Sequence, residues 1–146
     1  MAAVYRLSWW RRAANALLRP LVRQGLGPPR TYLLTVRGRR SGRLRSTPVT
    51  LVEEGGLRWL VAPYGEVGWV RNARAAGEVR LSRGRRSETL VIFELDPAEA
   101  APVLKRYLQQ VPITRPFFDV RADATLDAFA AEARRHPVFR LVRISG

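Results

Sequence analysis

The 146-residue chain has no cysteine, one histidine, one lysine and no acid before Glu53. Without cysteine there is no disulfide, no thiolate nucleophile and no cysteine-ligated metal. The lone histidine, His136, stands before Pro137 at an expected helix end. It reads as a cap or surface residue meeting the helix dipole, which leaves a serine triad without a credible middle member. The acids fall mostly on turns and expected helix surfaces, with Glu53 and Glu54 at a solvated hairpin end. None forms a pair suited to glycoside hydrolysis or two-metal chemistry, so no metal site is expected and the catalytic side chains stay unassigned. Nor is there a long apolar run. SWWRRAANALLRPLV is broken by Arg19 and Pro20, so the sequence reads as having neither a signal peptide nor a spanning helix. A cytoplasmic location is the default expectation. GRRSG is too short to be a Walker loop, and GxGxxG is absent.

What the chain does have is positive charge, unevenly placed. Of a formal net charge of +14, residues 1–52 carry eleven arginines and no acid. The densest stretch is TVRGRRSGRLRSTPVT, with Arg37, Arg39, Arg40, Arg43 and Arg45 around two glycines. Crowded guanidinium groups repel one another unless water, a carboxylate or an anionic ligand spreads their charge. From the residues alone, a solvated cationic turn and an anion site are both open. A chain lacking a side-chain nucleophile, base or metal cage would draw its chemistry from a bound organic cofactor.

The length and the 47% hydrophobic content suit a single domain over residues 1–146. Residues 1–30 read as an amphipathic cationic helix and connector. Apolar positions 13, 14, 17, 18 and 21 form one stripe and Arg12, Asn15, Arg19 and Arg23 another, and GLGPPR ends the helix. This helix covers the core, with contact at the inner membrane surface left open. Residues 31–146 form the core. Strands are expected at 31–37, 46–54, 57–62, 78–82, 86–95 and from Val138, with a short helix GWVRNARAA ending at Gly77. Asp96 caps a helix running to about Val111, and Asp123 caps another reaching His136. Consecutive hairpins without alternating crossover helices predict an α+β fold with about six mainly antiparallel strands and three or four helices.

With GRRSGRLRSTPVT, WLVAPYG and GWVRNARAAGEV in that order, the chain resembles the deazaflavin-dependent nitroreductase family of split β-barrel oxidoreductases. The likeness is strong over residues 31–95 and looser elsewhere. It implies a single-domain, FMN-binding-like split barrel that binds coenzyme F420, with FMN a weaker alternative. It also implies hydride transfer between the deazaflavin and a small hydrophobic electrophile: a quinone, a nitroaromatic or an activated alkene. By the same resemblance Arg39, Arg40 and Arg45 hold the phosphate and acidic tail, with Ser41 and Gly42 letting the backbone approach. Pro48, Val49 and Thr50 wall the ring; the loop of Ala62, Pro63, Tyr64 and Gly65 brings backbone amides to its edge, with Pro63 removing one donor; Trp69, Val70 and Arg71 begin the closing helix. Ile113, Thr114, Phe117 and Phe118 stand where better-known relatives carry tyrosines, so nitroreduction itself is not inferred.

Two rival readings stay open: a noncatalytic carrier of a flavin-like or apolar ligand, and a nucleic-acid binder suggested by charge alone. No recognised nucleic-acid motif is present, so no nucleic-acid partner is expected. A homodimer is compatible with the resemblance.

Overall fold

The computed structural model describes residues 19–21 and 30–144. Residues 19–21 are helical, and the rest of the expected N-terminal helix and its GLGPP connector lie outside the described residues. Six antiparallel strands form a closed barrel: β1 (Thr31–Arg37), β2 (Leu44–Glu54), β3 (Leu57–Val61), β4 (Glu78–Arg83), β5 (Arg86–Glu94) and β6 (Val138–Arg143). Around the barrel they run β1-β2-β3-β6-β5-β4, and β4 pairs back onto β1. Three helices complete the described fold: α1 (Gly68–Ala76), α2 (Pro97–Gln110) and α3 (Leu126–Glu132), with a 3-10 turn at Pro112–Phe117. The split-barrel expectation holds. None of the described helices is long and apolar enough to cross a membrane.

Strand alternation sorts the side chains. Leu34, Val36, Leu51, Leu60, Val79, Leu81, Leu90, Phe139 and Leu141 fill the barrel, all nearly inaccessible to solvent. Val52 and Val61 face the other way and meet α2, α3 and the aromatic turn in a second core. One barrel end closes on charge: Arg58 lies over the Tyr32 ring and pairs with Glu53 and Glu88. The other closes on α1, whose Val70 and Ala73 join the barrel core and whose Trp69 tilts against Phe139 at 6.2 Å between ring centroids. The β1–β2 turn opens at this second end.

Local signals placed most boundaries. Gly77 ends α1 in the left-handed region at φ 74°, and the Asp96 side chain accepts a hydrogen bond from the Glu99 amide at the start of α2. Asp123 does not cap α3. Thr125 does, accepting from the Ala128 amide, while Asp123 faces Arg121 in solvent. The helix ends at Glu132 rather than His136, because Pro137 biases the residue before it away from helical geometry.

Candidate functional site

The turn between β1 and β2 is held closed from within. Gly38 and Arg43 pair through the backbone at 2.8 Å, and the Gly42 amide donates to the Gly38 carbonyl at 2.9 Å. The Ser41 hydroxyl accepts from the Arg43 amide, and the Arg37 guanidinium donates to the Gly42 carbonyl. A Cβ on Gly38 would come within 2.9 Å of the Ser41 oxygen and 3.2 Å of the Arg43 carbonyl, so a side chain there would displace the Ser41 brace. Ser41 therefore acts first as a brace for the turn. Arg37 braces it too.

A residue that sequence reading passed over ties this turn to the rest of the protein. Asn72, buried on α1, accepts with one oxygen from both the Arg39 amide (3.1 Å) and the Arg39 guanidinium (2.7 Å). The barrel-closing helix thus fixes where Arg39 points. The signal was present in GWVRNARAA, since a polar Asn one residue from the buried Val70–Ala73 stripe needs a partner. Arg40 and Arg45 are exposed, and Arg45 sits opposite Val36 on the inward face of β2 at the open end. Among the described residues, no ion pair involves Arg39, Arg40 or Arg45. The acids are engaged elsewhere: Arg74 of α1 takes Glu66 and, with two nitrogens, Glu94 of β5. Those bonds raise the Arg74 pKa above its ordinary value, led by Glu94, and latch α1 to the barrel.

The other expected site residues divide by strand face and burial. On β2, Val49 packs in the barrel interior with Tyr32, while Pro48 and Thr50 lie on the outer face, paired with Leu33 and Thr31. One ligand surface does not meet all three, because neighbours on a strand point to opposite sides. Val70 is fully buried, so its side chain belongs to the core; Trp69 is half-buried and Arg71 exposed beside it. In the β3–α1 loop, the Ala62 side chain is sealed and its amide donates to the Pro137 carbonyl at 2.9 Å. The Gly65 amide donates to the Ala62 carbonyl at 3.2 Å, and Pro63 has no amide hydrogen. With Pro63 contributing none, two of the three amides expected at a ring edge are therefore spent inside the protein. Tyr64 is half-buried, edge-on to Phe117 at 4.8 Å.

Behind this loop the acids and the histidine are not where the sequence suggested. His136 is 4% exposed and Glu132 2% exposed, at 3.0 Å from one another. Phe118 stacks on the imidazole with centroids 3.9 Å apart. Phe117 and Phe118 are core, as is Tyr107, whose pKa burial pushes up, helped by Tyr64. Ile113, in contrast, is exposed. The expectation of His136 as a surface cap is overturned: the turn after Glu132 folds it inward under the loop.

A guanidinium cluster without carboxylate partners, braced at the mouth of a barrel, suits a multiply anionic ligand whose phosphate and carboxylate oxygens match guanidinium forks. The donor set thus fits a phosphate-bearing cofactor with an acidic tail. Comparison with known proteins points the same way. A family model described as F420H(2)-dependent quinone reductase matches residues 7–130. No curated protein matches the chain. Among solved structures, one described as a domain-swapped dimer is 22% identical, with 91% of this chain and 96% of that one covered and a TM-score of 0.56. The F420-H2 dependent reductase FDR-A is 23% identical over 77% of this chain and 94% of its own, at a TM-score of 0.54. HutZ, a heme storage protein from Vibrio cholerae, is 11% identical with 90% of each chain covered, at 0.56. At these identities the likeness is one of fold.

Proposed function

The chain belongs to the F420H(2)-dependent quinone reductase family, and from that premise we propose that it binds F420 at the α1 end of the barrel and reduces a small hydrophobic electrophile there. It is an F420-dependent oxidoreductase; the acceptor proposed is a quinone, a nitroaromatic or an activated alkene. The observation that carries the placement is the Arg39–Asn72 clamp beside Arg40 and Arg45, three cations with no acid among their described partners.

In this reading Arg39, Arg40 and Arg45 hold the phosphate and acidic tail. Each charge-assisted hydrogen bond contributes about 1.5–3 kcal/mol, so a few such contacts dominate affinity. The bound deazaflavin supplies the hydride. The protein's own part is placement: Trp69 and the 62–65 loop flank the ring, and Leu34, Val36 and Phe139 keep the barrel beneath it dry. The amino end of α1 has no side-chain cap, so its first amides add positive potential at the same mouth. Residues 1–30 are proposed to cover the barrel as a segment separate from the 31–146 core. A homodimer is proposed from the neighbour described as a domain-swapped dimer.

The test is a fluorescence titration with F420 against FMN, followed by mixing the protein with reduced F420 and a menadione-type quinone. Preferential F420 binding with quinone-dependent oxidation supports the proposal. Tight binding without oxidation makes the protein a carrier. Binding with no preference for F420 over FMN that collapses with added salt marks a general anion surface and overturns the placement of the cofactor.

A further inference from the structure

The loop at 62–65 leans on the segment 135–137 at several points. Ala62 donates to the Pro137 carbonyl at 2.9 Å, and a Cβ on Gly65 would stand 3.2 Å from the Arg135 carbonyl. The Ala62 backbone faces the His136 ring, and Tyr64 rests on Phe117, next to the Phe118 that stacks on that ring.

Two of the residues the loop leans on, Arg135 and His136, meet at Glu132. One of its oxygens takes both His136 Nε2 (3.0 Å) and the Asp119 amide (3.0 Å), and the other takes the Arg135 guanidinium (2.7 Å). Arg135 reaches Asp119 with its other arm at 2.6 Å. A hydrogen on Nε2 suits the carboxylate, and this leaves the opposite nitrogen, Nδ1, buried and without a hydrogen-bond partner among the described residues. A buried acceptor left unpaired is unusual and asks for a reason.

We propose that Glu132 and His136 are a positioning pair that sets the 62–65 loop, and that proton binding at His136 is linked to occupation of the cofactor face. The inference rests on the assignment of that loop to the deazaflavin ring. The charges acting on the imidazole are Glu132 and Arg135 from α3 and its final turn, and Arg135 also binds Asp119 from the segment after the 3-10 turn; Tyr64 of the loop packs on Phe117 beside this cluster and lies near Tyr107 of α2. Two carboxylates against one guanidinium leave the cluster one charge short of neutral when the ring is neutral. A proton on Nδ1 would balance it and give the Ala62 carbonyl a donor. Burial opposes that proton and holds the His136 pKa below its ordinary 6.5, against the pull of Glu132 and Ala62. A balance between opposed effects of this kind shifts with small movements of the loop carbonyl, and any ligand that moves the loop moves the titration with it.

His136 is the only histidine, so histidine-labelled protein gives one set of imidazole resonances. The expected result is an Nε2–H tautomer titrating below 6.5, with the amide resonances of the 62–65 loop sharing its midpoint. Oxidised F420 should shift that midpoint, and the F420 dissociation constant should change at least about fivefold across it. His136→Gln keeps an N–H near the Nε2 position; it should fold by circular dichroism and lose this pH dependence, retaining only the ligand's own titrations. Loop amides that ignore the histidine titration overturn the pair's role, as does a pH dependence that His136→Gln preserves. Loop amides that follow His136 while bound F420 disturbs neither overturn the ring assignment, and the linkage with it. The wild-type titration decides the matter even if the variant fails to fold.

Discussion

Substituting Asn72 separates holding the turn from binding the ligand. Its oxygen accepts one neutral bond from the Arg39 amide and one charged bond from the guanidinium at 2.7 Å. Asn72→Ala removes both. A neutral bond contributes about 1 kcal/mol and a charged one about 1.5–3, but Arg39 is exposed and water recovers part of the loss. The expected cost is about 1–2 kcal/mol of stability, read from urea unfolding. Freed from the clamp, Arg39 must be ordered on binding, so F420 affinity falls about tenfold as well. Asn72→Asp behaves differently. A carboxylate still accepts both Arg39 bonds, so stability stays within about 1 kcal/mol of wild type. The same carboxylate neutralises Arg39, and the loss of one charge-assisted contact weakens F420 by about 10- to 100-fold. The decisive comparison is thus a variant that folds normally and binds poorly, measured by fluorescence titration at about 0.15 M salt. If Asn72→Asp binds F420 as tightly as wild type, Arg39 does not meet the anion and the placement of the site at this turn is wrong.

Three further outcomes follow from the same geometry. Arg45→Ala should weaken F420 at least about tenfold with an unchanged unfolding midpoint, since one charged contact is lost and no described carboxylate loses its partner; an unaltered dissociation constant removes Arg45 from the site. Gly65→Ala should destabilise the protein by about 1–2 kcal/mol, because φ is +85° and the added methyl meets the Arg135 carbonyl at 3.2 Å; a wild-type melting temperature would show that the loop moves freely. The unfolded chain takes up a proton at His136 near its ordinary 6.5, whereas the folded chain resists until lower pH. This part of the stability is therefore present above about 6.5 and lost as the pH falls toward the folded-state pKa. Urea midpoints at pH 7.5 and 5 should differ more in wild type than in His136→Gln, and equal differences would show that other groups carry the acid sensitivity.

The elements legible in the sequence are those whose signals are local. Hairpin glycines, the Asp96-Pro97 start and Gly77 each act through the φ, ψ or capping bond of one residue, so a single stretch of sequence suffices to read them. The arginine turn was legible for the same reason, as five like charges around two glycines announce themselves without knowledge of the fold. The resemblance assigns Pro48, Val49 and Thr50 together to one wall, and the period-two alternation of β2 sends the Val49 side chain inside and those of its neighbours out. The resemblance also assigns Val70, an apolar residue on the face of α1 that plugs the barrel, and its side chain packs in the core.

The buried polar groups were hidden for a deeper reason. Asn72 and Arg39 are 33 residues apart, and Asp119 lies 13 from Glu132; each bond forms only after the barrel and the helices have brought the groups together. Glu132 and His136 are four apart, a spacing that reads as an exposed helical pair, and what buries them is the break at Pro137 that turns the chain under the 62–65 loop. A carboxylate is kept inside only where several donors meet it, and Glu132 has donors from the Asp119 amide, Arg135 and His136. Those donors come from the same segments that carry the aromatic turn and the loop beside the barrel mouth. The polar cluster and the proposed cofactor face therefore share the segments that hold them. A change at Glu132 should register first in the loop, as altered F420 affinity in Glu132→Gln under conditions where the barrel's unfolding midpoint has moved little; a variant that loses stability while binding F420 normally would show the two to be separate.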